Sequence, residues 1–226
     1  MYLPPSFAEP RTEVMHDLIE SYPLGALVTA SRGGLFATHI PFVLDRSAGS
    51  FGTLRGHVAR ANPHHRLEPA GPEAIVIFTG PNAYVSPSLY PSKRDHGRVV
   101  PTWNYAVVHA SGPVRFIDDP AFVLRNVEAL TLRHEAGREQ PWSIRDAPPG
   151  YVEALAKAVI GIELPIARLE GKWKMSQNRE ASDAAGVATG LAAAAGQNER
   201  EVAHLVAERL AQRSEREAPV SESPPN

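Results

Sequence analysis

The chain contains no cysteine. Disulfides, thiolate metal ligands and cysteine nucleophiles are therefore excluded. Lysine is nearly as scarce: of 23 basic residues only Lys93, Lys157, Lys172 and Lys174 are lysine, and all but Lys157 fall in polar blocks that stand out on other grounds. No charge of one sign dominates, because the formal net charge of the 226 residues is -2. No global field draws such a protein to nucleic acid or to a membrane surface. No apolar run approaches the length of a membrane span. The opening residues Met1-Tyr2-Leu3-Pro4-Pro5-Ser6-Phe7 lack a basic region followed by an apolar core, so no signal peptide is expected. The expectation is a cytoplasmic protein without membrane association.

The common phosphate-binding signatures are missing as well. No Gly-x-Gly-x-x-Gly follows a strand and no Gly-x-x-x-x-Gly-Lys-Ser/Thr occurs. No His-Glu-x-x-His is found, and the neighbours His64 and His65 do not by themselves supply the three or four converging ligands of a zinc site. No metal is expected, and no acid–base pair stands out as catalytic.

What is present reads as a β-rich chain with enough apolar residues, 43%, to bury a sizeable core. Residues 11–21 have helical spacing, with Val14, Leu18 and Ile19 inward. Strand signals follow at 24–30, 35–45 and 51–60, the first two joined by the turn Ser31-Arg32-Gly33-Gly34. A short helix is expected over 64–68, a buried strand over 74–79, and a long loop or broken strand over 80–98. A strand over 99–112 is expected to continue past Pro113 to Ile117. Asp118-Asp119-Pro120 caps a helix over 120–136, with Phe122, Val123, Val127, Leu130 and Leu132 as its apolar set. A second helix is expected over 149–159, a last strand over 160–169, and two helices over 181–195 and 199–213. The division expected is a barrel domain over 1–180, a helical extension over 181–213 and a disordered tail over 214–226. Many short antiparallel strands with late helices point to a mainly β, α+β chain: a closed or nearly closed barrel with helical additions.

The segment Val99-Val100-Pro101-Thr102-Trp103-Asn104-Tyr105-Ala106-Val107-Val108-His109 carries polar heads on both faces of a strand too apolar to lie free in water. Buried polar groups need partners, and a ligand is one possible partner. Three further polar blocks accompany it: 37–42, 56–63 and 171–179. Arg60 and Lys93 at strand ends suit an anion such as phosphate. Thr38 and Ser92 offer hydroxyls, and Trp103, Tyr105 and Trp173 suit a planar heterocycle. Each residue also has a plain structural use: Asn62-Pro63 starts a helix, Trp103 fills core, and His39 and His57 satisfy backbone.

In combination these pieces resemble the FMN-binding negative transcriptional regulators, the PaiB-like family. The matching segments are Met1, Tyr2, Pro4 and Phe7, then Ala-Thr-His-Ile-Pro-Phe at 37–42 and Gly-His-Val-Ala-Arg-Ala-Asn-Pro at 56–63. They continue with 78–88, Tyr-Pro-Ser-Lys at 90–93, Val-Val-Pro-Thr-Trp-Asn-Tyr at 99–105 and Lys-Trp-Lys-Met-Ser-Gln-Asn-Arg at 172–179. Leu89 stands where an aromatic residue is expected, and the tail after 213 is outside the pattern. The resemblance implies an FMN-binding split β-barrel, a homodimer with the flavin in a groove between subunits. Carried over by position, Arg60 would bind the phosphate, helped by Thr38, His57 and Asn62. Thr102, Trp103 and Asn104 would line the other side. Lys172, Trp173, Lys174, Gln177 and Arg179 would reach toward the partner subunit.

Three roles are compatible with such a protein: a flavin-dependent or flavin-sensing protein with an indirect regulatory role, a DNA-binding regulator, and a flavin- or haem-dependent oxidoreductase. His39, His57 and His109 keep haem open. A loose helix-turn-helix pattern spans 188–210, but its second helix begins Glu199-Arg200-Glu201 and includes Glu208. Phosphates repel such a helix, which argues against direct DNA contact.

Overall fold

The structure is a computed structural model and describes residues 1–217. Ten strands and six α-helices alternate along it: β1 (Ala8–Glu9), α1 (Thr12–Ser21), β2 (Leu24–Ser31), β3 (Gly34–Pro41), β4 (Val43–Asp45), β5 (Thr53–Ala59), β6 (Pro69–Val85), α2 (Ser92–Asp95), β7 (Thr102–Pro113), β8 (Arg115–Ile117), α3 (Pro120–Glu135), α4 (Tyr151–Ala156), β9 (Val159–Pro165), β10 (Arg168–Lys174), α5 (Ala181–Ala192) and α6 (Gln197–Glu217). One sheet has six strands in the order β1-β10-β7-β6-β2-β3, the other four in the order β4-β5-β9-β8.

The meander expected from the turn at 31–34 forms, pairing Leu24 with Pro41 through Ser31 with Gly34. The expected strand over 35–45 is instead two strands in two sheets, interrupted at Phe42. Phe42 is 1% exposed, so the change of sheet is pinned by a core aromatic. The expected strand over 160–169 likewise divides into β9 and β10, and Val114 alone separates β7, which ends at Pro113, from β8. A two-residue period is blind to such switches, because each half keeps its own alternation. β6 runs through Gly80-Pro81, which was expected to close a shorter strand. Proline's fixed φ suits extended backbone wherever its missing N–H is not required by the ladder.

The helix α3 starts where its cap predicts. Asp119 accepts hydrogen bonds from the amides of Ala121 (2.9 Å) and Phe122 (3.2 Å) and begins α3. Within α1 the buried set is Met15, His16, Leu18 and Ile19; Val14 is only half-buried. The helix expected at 64–68 is a 3-10 turn over Pro63–Arg66, and the one expected at 149–159 shortens to α4.

The chain packs as two compact units, each assembled from separated segments and cutting across the sequential division at residue 180. The first comprises Met1, 9–79 and 107–171; the second comprises 2–8, 80–106 and, among the described residues, 172–217. Leu27, Ile40, Leu54, Val58, Val76, Phe78, Ile160, Ile162 and Leu164 form the first unit's core. In the second unit α5 and α6 form a helical hairpin that buries Val187, Leu191, Val202, Ala203 and Val206. Gly186 lets α5 approach the 3-10 turn over Pro87–Leu89, since a Cβ there would lie 2.3 Å from the Leu89 carbonyl oxygen. The tail expected from Ser214 begins as the final turn of α6, and residues 218–226 lie outside the described residues. No helix among the described residues is long and apolar enough to cross a membrane.

Candidate functional site

The period-two reading of β7 resolves into a buried face of Asn104, Ala106, Val108 and Ala110 and a wetter face that includes Trp103, Tyr105 and His109. Asn104 is therefore a polar residue set into an apolar row, and it is 0% exposed. Its amide nitrogen donates to Ser176 Oγ at 2.9 Å, while its Oδ1 has no partner. Flipping the amide only transfers the deficit to the nitrogen, so one buried polar atom stays unpaired either way.

Around Asn104 the second unit gathers cations and aromatic rings. Lys174 Nζ donates to Thr102 Oγ1 and to the Trp103 carbonyl oxygen (2.6 Å). Lys172, 8% exposed, donates to the Tyr2 carbonyl oxygen at 3.1 Å and lies 5.4 Å from the ring centres of both Tyr2 and Tyr105. Arg179 covers the ring of Tyr90 at 4.8 Å. Among the described residues no carboxylate pairs with Lys172, Lys174 or Arg179. Burial, followed by the repulsion of Lys172 and Arg179, holds the Lys174 ammonium below the usual lysine range. Three cations without a counter-charge create a positive potential that favours an anion over a cation.

Trp103 is half exposed, its indole N–H donating to Asn82 Oδ1 at 3.1 Å and its ring edge-on to Tyr84 at 6.0 Å. The other expected aromatic, Trp173, is 3% exposed and belongs to the core. Gln177 is spent on its own loop: its Oε1 accepts from the Met175 amide and its Nε2 donates to the Trp173 carbonyl, both at 2.6 Å. Lys93 is exposed on the four-residue helix α2. Its neighbour Ser92 is buried, held by the Asp183 carboxylate at 3.1 Å from its amide and 2.7 Å from its hydroxyl. Nothing in the sequence marked Asp183, because its partner is 91 residues away.

The remaining expected residues belong to the first unit. Thr38 is engaged by His64: Nδ1 lies 2.8 Å from Thr38 Oγ1, and Nε2 lies 2.8 Å from Thr29 Oγ1. Asn62 caps the following turn by accepting from the His64 amide at 2.9 Å, and its own amide reaches Thr38 Oγ1 at 3.4 Å. His64 is 1% exposed, edge-on to Phe36 at 4.9 Å, and burial pushes its imidazole below the ordinary histidine range. The histidine was visible in the sequence, but the two threonines that claim it could be identified only after folding.

Arg60 is fully committed on one edge. It holds both oxygens of Asp118 at 2.7 and 2.6 Å and donates through Nε to the Lys157 carbonyl at 2.8 Å. Three of a guanidinium's five N–H groups are thereby used. His57 rests against Asn126, whose amide nitrogen is 3.2 Å from its Nδ1, and burial lowers its basicity too. Asn126 is itself 4% exposed and its Oδ1 has no partner.

With this geometry in view, the relatives of the chain can be compared. The profile of a family described as a putative FMN-binding domain matches residues 1–168. An uncharacterized protein of Emericella nidulans, AN0679, is 39% identical over 84% of this chain and 90% of its own length. The protease synthase and sporulation protein PAI 2 of Bacillus subtilis is 28% identical over 93% of this chain and 98% of its own. Among solved structures, the FAD and haem binding protein of Mycobacterium smegmatis superimposes with a TM-score of 0.51 at 18% identity, over 74% of this chain and 73% of that one. The fold is a split β-barrel of the mixed α+β class.

Proposed function

The chain belongs to the family of putative FMN-binding domains, and from that premise we propose that it holds FMN non-covalently and acts through the flavin. The observation that carries this is the uncompensated group Lys172, Lys174 and Arg179 beside the exposed Trp103 indole and the orphaned Asn104 amide. An anionic mononucleotide with a flat ring system answers the accessible features: phosphate for the cations and heterocycle for the indole. Bound flavin supplies hydride or one-electron transfer, which the protein residues cannot perform. The side chains bind and orient: Lys174 is fixed by two acceptors, Trp103 by Asn82, and Asn104 by Ser176. Arg60 is the phosphate candidate of the first unit, and its two remaining N–H groups are available to an oxyanion.

The working form is proposed to be a cytoplasmic homodimer, with the cofactor at the subunit interface. Its regulatory role is indirect. Val202 and Val206 of α6 are 0% exposed and turned into the helical hairpin, while the exposed charges are mixed, Glu208 beside Arg200 and Arg213, with no basic stripe. A helix with that outer face does not read DNA. An absorbance spectrum of freshly purified protein, followed by FMN titration with fluorescence quenching, tests the reading. Saturable quenching is expected in the wild type, and at least tenfold weaker binding in Lys174→Met. A folded wild type that ignores saturating FMN removes the proposal.

A further inference from the structure

The first unit contains a cavity of about 490 Å³ that the flavin reading does not need. It is bordered by β5, α3, α4, the start of β9 and the loop before α4, is open to solvent on one side, and is lined by residues such as Val123, Val127, Trp142, Tyr151 and Leu155. This volume lies within the ordinary range for small-molecule sites, roughly 300–1,000 Å³. Among the described residues, no lining side chain carries a fixed charge. His57 is the one lining residue able to titrate near neutrality, and burial keeps its imidazole in the neutral form.

Three features separate this cavity from a packing defect. First, α3 spends its apolar stripe on it: only Val123 and Asn126 of that helix are buried, while Val127 lines the space. Second, the rim exposes large apolar groups, Trp142 at 46%, Tyr151 at 55% and Leu155 at 52%. Third, the imidazole is held in place. The Asn126 amide nitrogen lies 3.2 Å from its Nδ1; with that nitrogen as donor the neutral ring carries its proton on Nε2, which has no protein partner among the described residues. A fixed donor in an apolar chamber orients a ligand through one contact and selects against charge.

We propose that this cavity is a second binding site, for an uncharged, largely apolar molecule of about two aromatic rings that carries one hydrogen-bond acceptor for His57. The proposal assigns His57, which the family resemblance set beside the flavin phosphate, to a different ligand, and it does not depend on the flavin. An anionic ligand is disfavoured, because among the described residues no cation lines the cavity to offset its desolvation.

The test uses the full chain and the uncharged fluorophore N-phenyl-1-naphthylamine. Saturable enhancement of its emission is expected, with at least tenfold weaker binding in Val127→Trp and in Ala147→Phe, two half-buried lining positions where a larger ring fills the space. Thermal melts identify which of the two variants is folded, and loss of binding in a folded one supports the site. Benzophenone, which has a carbonyl, should displace the probe at least fivefold better than diphenylmethane, which has none, and His57→Phe should erase that preference. The proposal is overturned if folded wild type shows no saturable binding, or if folded filled variants bind as well as wild type. Equal displacement by the two competitors overturns the role of His57. FMN competing with the probe overturns the separateness of the site. A shift in sedimentation from dimer to monomer in Trp142→Ser without loss of probe affinity assigns the rim to a second copy of the chain and likewise overturns it.

Discussion

Asn104 donates to the hydroxyl of Ser176 at 2.9 Å, and Ser176, with φ of 63°, is the sole non-glycine residue of positive φ among the described residues. A buried amide thus fixes the turn in which β10 gives way to the segment bearing Gln177 and Arg179. Backbone strain of this kind concentrates at functional sites. Removing the amide with Asn104→Ala should cost about 1–3 kcal/mol, because a buried hydroxyl loses its donor, and should weaken FMN binding. Ser176→Gly should be the milder change: relief of the left-handed strain, about 1 kcal/mol, offsets only part of the cost of stranding the buried Asn104 amide, about 1–3 kcal/mol. Urea unfolding of both variants checks the contrast.

Lys174 gives a pH signature. Its folded-state pKa lies below the ordinary lysine value because of burial and the neighbouring Lys172 and Arg179. The unfolded chain therefore binds more protons in the window between the two values, and stability rises with pH across that window. A bound anion favours the protonated form. FMN affinity should accordingly fall as pH rises, with a midpoint below that of free lysine, and this decline should vanish in Lys174→Met. Titrations across the alkaline range measure it.

His64 acts in the opposite part of the pH scale. Burial lowers its folded pKa below the unfolded value of about 6.5. As pH falls through about 6.5 the unfolded state takes up a proton that the folded state refuses. Stability is lost from there down to the folded pKa and then levels. His57 adds to the same slope. His64→Ala should destabilise by about 2–4 kcal/mol, from the cavity and two stranded threonine hydroxyls. It should also flatten the acid slope seen in denaturant midpoints between neutral and acid pH.

Arg60 and Asp118 form a surface pair, so changing either should leave the melting temperature nearly unmoved. Affinity is the discriminating measurement. If Arg60 holds the flavin phosphate, Arg60→Ala weakens FMN binding at least tenfold, and Asp118→Asn strengthens it by freeing the guanidinium. Unchanged affinity in both variants removes Arg60 from the site.

Gly112 marks a close approach of backbones within the first unit. A Cβ there would sit 2.1 Å from the Pro165 carbonyl oxygen, an atom that cannot rotate away. Gly112→Ala should destabilise by at least about 3 kcal/mol, visible as loss of cooperative unfolding by circular dichroism.

The sequence by itself determined the alternating patterns, the turn at 31–34, the caps at Asn62 and Asp119 and the clustering of scarce lysines, because these depend on residues adjacent in the chain. Only the tertiary structure decided where strands change sheet, and that Thr29 and Thr38 claim His64, Asp183 claims Ser92 and Asn126 steadies His57. Those pairings join side chains 26 to 91 residues apart, a separation that local spacing does not encode. A hydrogen bond forms where folded backbones bring its two ends within reach, and burial then sets its strength and the proton affinity of its members.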